Sequence, residues 1–265
     1  MTILTCTPKR LPEAMMDKAI VKAVETNPLN HGPVAAVRAM MPGHAIDRAS
    51  LSILTARKWK TKGVKLTVAF LDGPPKDLRT RIIGHMNAWA KTANVQFTET
   101  AGKGQVRIAR EGGEDGGYWS YLGTDILLID KAQPTMNLEA FTMKTPESEF
   151  VRVVRHETGH TLGFPHEHMR SDLVKLIDEK KAIAFYMASQ GWTEEEVRAQ
   201  VLTPIENGSI LGTPRSDTNS IMCYQVHGGL TKNGKPIPGG IDIDQLDYEF
   251  AASCYPKQVA AKNRT

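Results

Sequence analysis

The chain has 265 residues, of which 41% are hydrophobic and 23% are charged, and this composition is typical of a globular protein. The formal net charge is only +4, and no run of basic residues interleaved with aromatic ones is present, which argues against a nucleic-acid partner. The apolar runs are far shorter than the roughly 20 residues that cross a bilayer, so we expect no membrane partner.

The N-terminus and the cysteines bear on the cellular location. The first residues, MTILTCTPKRLPEAMM, lack the basic and then apolar segments of a secretory signal. We therefore expect the protein to stay inside the cell or to leave by another route, unless its leader is missing from this sequence. Cys6, Cys223 and Cys254 are too few for a disulfide framework, although one bridge between Cys223 and Cys254 is compatible with the sequence.

Residues 1–57 are predicted to form a helical N-terminal extension. Apolar residues recur every three or four positions over 11–26, which indicates a helix. A second short helix fits 33–41 and is broken by the proline and glycine at 42–43.

The sequence beyond residue 58 reads as strands around one helix. Alternating and β-rich segments predict one twisted sheet, and an amphipathic pattern predicts a helix over 78–92. The strand candidates are 64–72, 94–100, 105–111, 118–123, 125–130 and 135–141.

The C-terminal half is predicted to be helical and rich in loops. A helical pattern over 149–163 stops at a glycine, and one or two further helices follow over 172–203. A loop-rich stretch then precedes a last helix at 242–254, opened by an aspartate cap. We expect a flexible tail at 257–265.

The stretch HETGHTLGFPHEH, residues 156–168, holds four of the eight histidines in the chain. On a helix, His156 and His160 share one face and are one turn apart, so both imidazoles can bind one zinc ion. Glu157 lies beside the first histidine, next to the ion rather than on it. This is where a general base must lie to take a proton from a water molecule on the metal.

Gly163 is predicted to end this helix, because glycine adopts the left-handed conformation at a helix C-terminus without steric cost. The chain can then bend back, so that His166 supplies a third ligand. Three histidines leave one coordination position for water, which is typical of a catalytic zinc site rather than a structural one. We expect His168 to lie outside the ligand set or at the surface. The alternative is that these histidines are unrelated residues on a helix surface.

The extended histidine motif, together with SIMCY at 220–224, resembles the metzincin zinc endopeptidases. More narrowly, GFPHEHMR (163–170) and YWSYLGTD (118–125) resemble the astacin family. The resemblance implies an α+β catalytic domain of two lobes over 58–256, with the active-site cleft between them. The N-terminal lobe would hold a twisted mixed sheet and helices, and the C-terminal lobe would be helical and rich in loops.

The resemblance also implies roles for individual residues. Met222 would form the turn beneath the metal, Tyr224 would be a hinged further zinc ligand, and Glu167 would contact a cleaved N-terminus. Alternatively, Tyr224 is a packed core residue and Glu167 a surface carboxylate. A free sheet edge would pair with the substrate backbone. The residues of this edge are Tyr118, Trp119, Ser120 and Tyr121.

The chain departs from the family pattern in its cysteines and its extension. Asn94 and Tyr118 stand where family cysteines are expected and only Cys254 matches, so the family disulfides are not expected. The inhibitory aspartate of the family has a poor match in Asp47. A cysteine switch through Cys6 is compatible with the affinity of thiolate for zinc. Otherwise the extension is an accessory lobe.

These features predict a zinc-dependent endopeptidase that acts as a monomer on polypeptides, with one catalytic Zn²⁺ and Glu157 as the base. A second hypothesis is a catalytically silent zinc-binding module whose cleft holds a protein partner. A third is a protease that cuts a single target. The presence of Glu157 favours an active enzyme over the silent module.

Overall fold

The computed structural model describes residues 6, 9–32, 34–35, 39, 55–113, 116–204 and 216–257. Most of the predicted helix at 33–41, Asp47, and all but the first residue of the predicted tail lie outside these residues. None of the described helices is long and apolar enough to cross a membrane.

A five-stranded mixed sheet forms the first half of the domain, with the strand order β2-β1-β3-β5-β4. The strands are β1 (Val64–Phe70), β2 (Val95–Glu99), β3 (Val106–Ala109), β4 (Tyr118–Ser120) and β5 (Met136–Leu138). All pairings are parallel except that between β4 and β5, which is antiparallel. The short strand β4 therefore lies at one edge of the sheet.

The prediction of a strand at 125–130 is wrong, because Gly123–Leu128 forms a 3-10 helix. Gly123 has a φ of 48°, which turns the chain away from the extended conformation. The amide of Thr124 donates to the carbonyl of Arg57 at 3.0 Å, and the Arg57 side chain pairs with Asp125 at 2.7 Å. These contacts hold the segment as a turn, which cannot be predicted from its run of apolar residues.

The α-helices of the described residues lie close to the predicted ones, except that three helices, rather than one or two, occupy the stretch predicted over 172–203. They are α1 (Met16–Thr26), α2 (Lys76–Met86), α3 (Glu147–Glu149), α4 (Arg155–Thr161), α5 (Ser171–Val174), α6 (Glu179–Gln190), α7 (Glu194–Val197) and α8 (Gln245–Cys254). A π-helical turn, Phe150–Val154, joins α3 to α4. The resulting continuous helix, 147–161, is called the histidine helix below. The predicted aspartate cap of the last helix is Asp244, whose side chain accepts from the amide of Asp247.

Two hydrophobic clusters divide the domain into lobes. The first surrounds the sheet, the histidine helix and α8, and Trp89, Phe97 and Phe150 are among its buried side chains. The second joins α5, α6 and α7 to the loop that follows residue 222. The histidines of the motif lie where the two clusters meet.

The described part of the N-terminal extension packs against the domain. Asn30 in the extension binds both the carbonyl and the amide of Lys58, at 2.8 and 3.0 Å. Asn27 donates to the carbonyl of Trp59 at 2.7 Å. The Trp59 indole in turn donates to the carbonyl of Thr161 at 2.8 Å, at the end of the histidine helix. The extension is thus coupled to the element that carries the histidines.

Candidate metal centre

The side chains of His156, His160 and His166 converge on one point. The Nε2 atom of His166 lies 3.1 Å from that of His156 and 3.0 Å from that of His160. Nitrogens that surround one tetrahedral zinc ion with bonds of about 2.0–2.1 Å lie about 3.3 Å apart. The separation of the three nitrogens therefore suits a single ion.

Backbone carbonyls fix the tautomer of the first two histidines. The Nδ1 of His156 lies 2.6 Å from the carbonyl oxygen of Ile221, and the Nδ1 of His160 lies 2.8 Å from that of Phe164. Because a carbonyl only accepts, each Nδ1 carries the proton and donates it. Each Nε2 then keeps its lone pair for a metal, and its ring orientation is set by the hydrogen bond.

The bend after the histidine helix is a Schellman motif centred on Gly163. This glycine has a φ of 91°, its amide donates to the carbonyl of His160 at 2.8 Å, and the amide of Phe164 donates to that of Gly159 at 3.0 Å. The turn directs the chain back across the end of the helix, so that His166 faces the two helical histidines. The sequence prediction of a glycine-dependent bend is confirmed.

All three imidazoles are buried and held neutral. Burial lowers the pKa of His156 to about 4, and it lowers the pKa values of His160 and His166 well below the ordinary value. Zinc binds neutral imidazole, so deprotonated, converging, buried rings match what the ion requires. The residues present therefore fit one zinc ion.

Glu157 points into the same region. It is 1% exposed, and burial raises its pKa to about 8, while the Cys6 thiol and the charge of Arg152 offset part of that increase. Apart from that thiol, its carboxylate has no hydrogen-bond partner among the described residues. A buried carboxylate whose pKa is raised in this way can exchange a proton near neutral pH.

Met222 lies beneath the histidine helix, where the resemblance expects it. A side chain on Gly159 would collide with its sulfur atom, so the helix backbone rests directly on the thioether. The preceding residues, Ser220 and Ile221, are held by Asp247, which accepts from the Ser220 hydroxyl at 2.6 Å and from the Ile221 amide at 2.9 Å. This turn presents the Ile221 carbonyl to His156.

Tyr224 is buried beside the third histidine. Its ring centroid lies 4.2 Å from that of His166 and 4.2 Å from that of His168, which it stacks on at 12°. Its hydroxyl has no hydrogen-bond partner among the described residues. A surface position for His168 is wrong, because its side chain is fully buried and its Nε2 lies 3.0 Å from the carbonyl of Gln200.

Glu167 is also buried, so the alternative of a surface carboxylate is wrong. Its side chain accepts from the amide of Asp217 at 3.1 Å and lies 3.5 Å from the Arg170 guanidinium. Its amide donates to the carbonyl of Met222 at 2.9 Å. Glu167 thus ties the segment after the third histidine to the methionine turn.

The prediction of a free sheet edge at β4 is wrong, because other residues of the chain pair with it. In strand β4, Tyr118 pairs with Cys6, and just beyond the strand Tyr121 pairs with Lys9, both in the parallel sense. Trp119 and Ser120 are buried, and the Ser120 hydroxyl lies 3.1 Å from that of Thr161. Both side chains are therefore covered in this structure, Trp119 in part by the Lys9 ammonium, which lies 4.9 Å from the centroid of its ring.

Cys6 is a potential metal donor that the histidine spacing does not reveal. Its Sγ atom and one ligand atom from each of the three histidines all lie within 4.8 Å of one another. The three cysteines are free and buried, so the bridge between Cys223 and Cys254 is absent. No motif in the sequence points to Cys6. It was a candidate only because a thiolate binds zinc well.

Comparisons with known proteins point to one family. The sequence model of the astacin family of peptidases matches residues 52–232. Zinc metalloproteinase nas-27 of Caenorhabditis elegans is 29% identical over 121 residues, which are 46% of this chain and 25% of that protein. The match thus spans about a quarter of the length of this curated relative.

Solved structures share the fold. A structure of myroilysin is 30% identical with a TM-score of 0.70 and covers 77% of this chain and 97% of that chain. High choriolytic enzyme 1, a hatching enzyme zinc-protease from the medaka Oryzias latipes, is 18% identical with a TM-score of 0.51. Its match covers 77% of this chain and 94% of that chain, and it shows the fold alone.

These likenesses place the chain in the class of zinc-dependent endopeptidases, which carry one catalytic zinc ion. Because the family match spans more than half of the sequence, the chain belongs to the astacin family of peptidases. The predicted α+β fold of this family is confirmed.

Proposed function

We propose that this chain is an active endopeptidase that hydrolyses peptide bonds in polypeptide substrates. His156, His160 and His166 would hold the zinc ion, and Glu157 would act as the general base. The observation that carries the proposal is the convergence of three neutral imidazoles, in which the Nε2 of His166 lies 3.1 and 3.0 Å from those of His156 and His160, with the carboxylate of Glu157 close by. Zinc, when bound there, supplies an activated water molecule and polarises the scissile carbonyl.

Glu157 moves the proton in this proposal. Its carboxylate takes a proton from the attacking water and returns it to the nitrogen of the leaving amine. The side chain projects from the histidine helix one residue after a ligand, so the same backbone positions both groups. This shared support is what keeps a base at hydrogen-bonding distance during turnover.

Tyr224 is proposed to stabilise the oxyanion of the tetrahedral intermediate. Its hydroxyl is buried beside His166 and has no partner among the described residues, so it can donate a hydrogen bond to a developing negative charge. A ring movement that brings the hydroxyl to the ion, as a further ligand, is part of the proposal.

The substrate is proposed to lie extended along β4 and to pair with it once Cys6 and Lys9 no longer occupy this edge. For Glu167, we propose contact with the amino group of a cleaved N-terminus, because Glu167, Asp217 and Asp247 line one cavity and together attract a cation.

The proposal is tested with Glu157→Gln. The amide keeps the shape of the side chain but cannot accept the proton, so zinc should remain bound while kcat falls by at least about a hundredfold. Glu149→Gln, on the exposed side of the same helix where Glu149 pairs with Arg152, is the matched control and should retain full activity. Metal content and casein hydrolysis, with and without chelator, are measured on each protein.

The silent-module hypothesis makes the opposite forecast. It expects zinc in every variant and no casein or gelatin cleavage by any of them, even after the N-terminal extension has been removed. Wild-type cleavage by Glu157→Gln would instead refute the assignment of the base while leaving a hydrolase in place.

A further inference from the structure

The ring of Tyr224 packs against two imidazoles of the histidine motif. Its centroid lies 4.2 Å from that of His166, at an angle of 48° between the rings, and 4.2 Å from that of His168, at only 12°. His168 therefore supplies the flat surface on which the tyrosine ring stacks. Because the Tyr224 hydroxyl has no hydrogen-bond partner among the described residues, packing of the ring is what orients this side chain.

The His168 ring is itself held by a part of the chain far from the motif. Its Nε2 lies 3.0 Å from the carbonyl oxygen of Gln200, in the π-helical turn Arg198–Leu202. Because a carbonyl only accepts, this nitrogen carries the proton and donates it. Carbonyls in the last turn of a helix accept from groups outside the helix. The hydrogen bond fixes the rotation of the imidazole, and with it the plane on which Tyr224 stacks.

A side chain that only filled space at position 168 would need no polar atom. The His168 side chain is fully buried, and a buried N–H without a partner is costly. The chain meets this requirement with a carbonyl 32 positions away, from a different helix. The result is an oriented aromatic face, which an aliphatic side chain of similar volume would not provide.

We propose that His168 is a positioning residue, which holds the Tyr224 ring in the orientation from which its hydroxyl donates to the oxyanion. This inference rests on the proposed function, since it deepens the role given there to Tyr224. A hydrogen-bond donor stabilises a developing charge best when it is oriented before that charge appears. Without the stacked face, the tyrosine ring samples other orientations, and its hydroxyl is in place for only part of the time.

The kinetic test compares the full-length, zinc-loaded wild type with His168→Leu and His168→Phe. Both changes remove the hydrogen bond to Gln200, but only phenylalanine keeps an aromatic face. For hydrolysis of a peptide, kcat should fall roughly tenfold in His168→Leu, which is about the size of one lost aromatic pair, and stay within about threefold of wild type in His168→Phe. KM should be unchanged, because the lost interaction belongs to the transition state alone.

The matched control is Trp192→Leu. It removes a ring that stacks on Tyr186 at 14° and packs against the same hydrophobic cluster. Its kcat should equal that of wild type, because neither of these two rings is stacked on Tyr224.

A second comparison repeats His168→Leu in a Tyr224→Phe background. Phenylalanine keeps the ring but has no hydroxyl to position, so kcat should be low and nearly the same with or without the change at His168. Such non-additivity is the sign that two residues act together. A general loss of folding stability would instead lower activity equally in both backgrounds.

The stack itself is observed by NMR of protein labelled with ¹³C in its tyrosine rings. Among the six tyrosines of the chain, the signal of Tyr224 is the one that is missing from Tyr224→Phe. This signal should move towards the position of an exposed tyrosine in His168→Leu and remain displaced in His168→Phe. The measurement needs no substrate and no turnover.

The two readouts separate this inference from the proposed function. An unmoved Tyr224 signal in His168→Leu overturns the stack as the contact that orients the ring. Equal kcat in wild type and His168→Leu, or an equal loss with and without the Tyr224 hydroxyl, overturns the positioning role. If the signal moves as expected but wild type hydrolyses no peptide, the stack stands, the endopeptidase function fails, and the positioning role falls with it.

Discussion

Asp247 shows how a residue without any contact to the metal can position a ligand. Its carboxylate accepts from the Ser220 hydroxyl, the Ile221 amide and the Asp244 amide, at 2.6, 2.9 and 3.1 Å. These bonds hold the turn whose Ile221 carbonyl receives the Nδ1 proton of His156. The ring orientation of a ligand therefore depends on an acid in the last helix, 91 positions further along the chain.

We predict that Asp247→Asn loosens this turn. An amide has one oxygen and no charge, so its nitrogen would face either the two backbone amides or the Ser220 hydroxyl, and the charge-assisted hydrogen bonds would be weakened or lost, at a cost of about 1–3 kcal/mol. Zinc affinity should fall roughly 10- to 100-fold, as is typical for groups that support a metal ligand. Denaturant unfolding and competitive zinc titration measure both effects.

The control for this prediction is Asp242→Asn, which changes an aspartate just before α8, the helix that contains Asp247. Asp242 is half exposed and pairs with Arg155, so its loss should cost less than about 1 kcal/mol. Equal losses of zinc affinity in the two variants would contradict the positioning role of Asp247.

At the scale of single residues, the sequence predicted the histidine centre because its parts are close along the chain. His156, His160 and His166 lie on one helix and the turn that follows it, so their spacing determines their geometry. Cys6 is 150 positions from His156, and only the pairing of its segment with β4 brings it to the centre. The spacing of residues along the sequence therefore cannot predict that Cys6 lies next to the histidines.

Among the elements, the histidine helix carries a glycine where helix propensity alone would favour alanine. A Cβ on Gly159 would meet the Met222 methyl at 3.1 Å and the Trp89 ring at 3.2 Å, and would come still closer to the Met222 sulfur. The helix therefore gives up some intrinsic stability so that it can approach the methionine turn.

We predict opposite effects for two glycine-to-alanine changes in helices. Gly159→Ala should destabilise the protein by about 1–3 kcal/mol, because the added methyl must displace Met222. Gly84→Ala in α2 should stabilise it by about 0.5–1 kcal/mol, because nothing lies within 4 Å of the added methyl and alanine is the better helix former. Thermal or denaturant unfolding of the two variants measures the sign of each change in the free energy of unfolding. A Gly159→Ala variant more stable than wild type would contradict the close packing of Gly159 against Met222.

Helices and strands were predicted correctly where the periodicity of apolar residues determines them. They were predicted wrongly where contacts with residues far away in the sequence determine them. The alternation in β1 and the helical spacing in 149–163 were sufficient, because burial of one face dictates the element. The run at 125–130 has the apolar character of a strand, yet the Arg57 side chain and backbone hold it as a 3-10 turn. The edge of β4 looked free because the segment that covers it lies more than a hundred residues earlier.

In the whole molecule, the metal centre is the place where two hydrophobic clusters meet. The histidine helix and Met222 belong to the cluster around the sheet, whereas Tyr224 and Cys6 belong to the cluster that holds α5, α6 and α7. His166 is the last of the proposed ligands before the chain enters the second cluster. A zinc ion bound by the three histidines would therefore link the lobes.

We predict that zinc removal loosens the second lobe more than the first. A ligand present at about 1,000 times its Kd stabilises the folded state by about 4 kcal/mol, and chelation removes that contribution. The sheet keeps its own large core, so amide hydrogen exchange should increase over residues 171–202 and stay nearly unchanged in β1 and β3. Hydrogen exchange followed by mass spectrometry, with and without chelator, resolves these regions.

Two variants sharpen this experiment. His160→Ala should show the loosened pattern before chelator is added, because it lacks a ligand. Glu157→Gln should respond to chelator as wild type does, because it keeps all the ligands and loses only the base. A uniform increase in exchange across both lobes would mean that the domain unfolds as one unit, and that the ion stabilises the whole fold rather than the contact between its lobes.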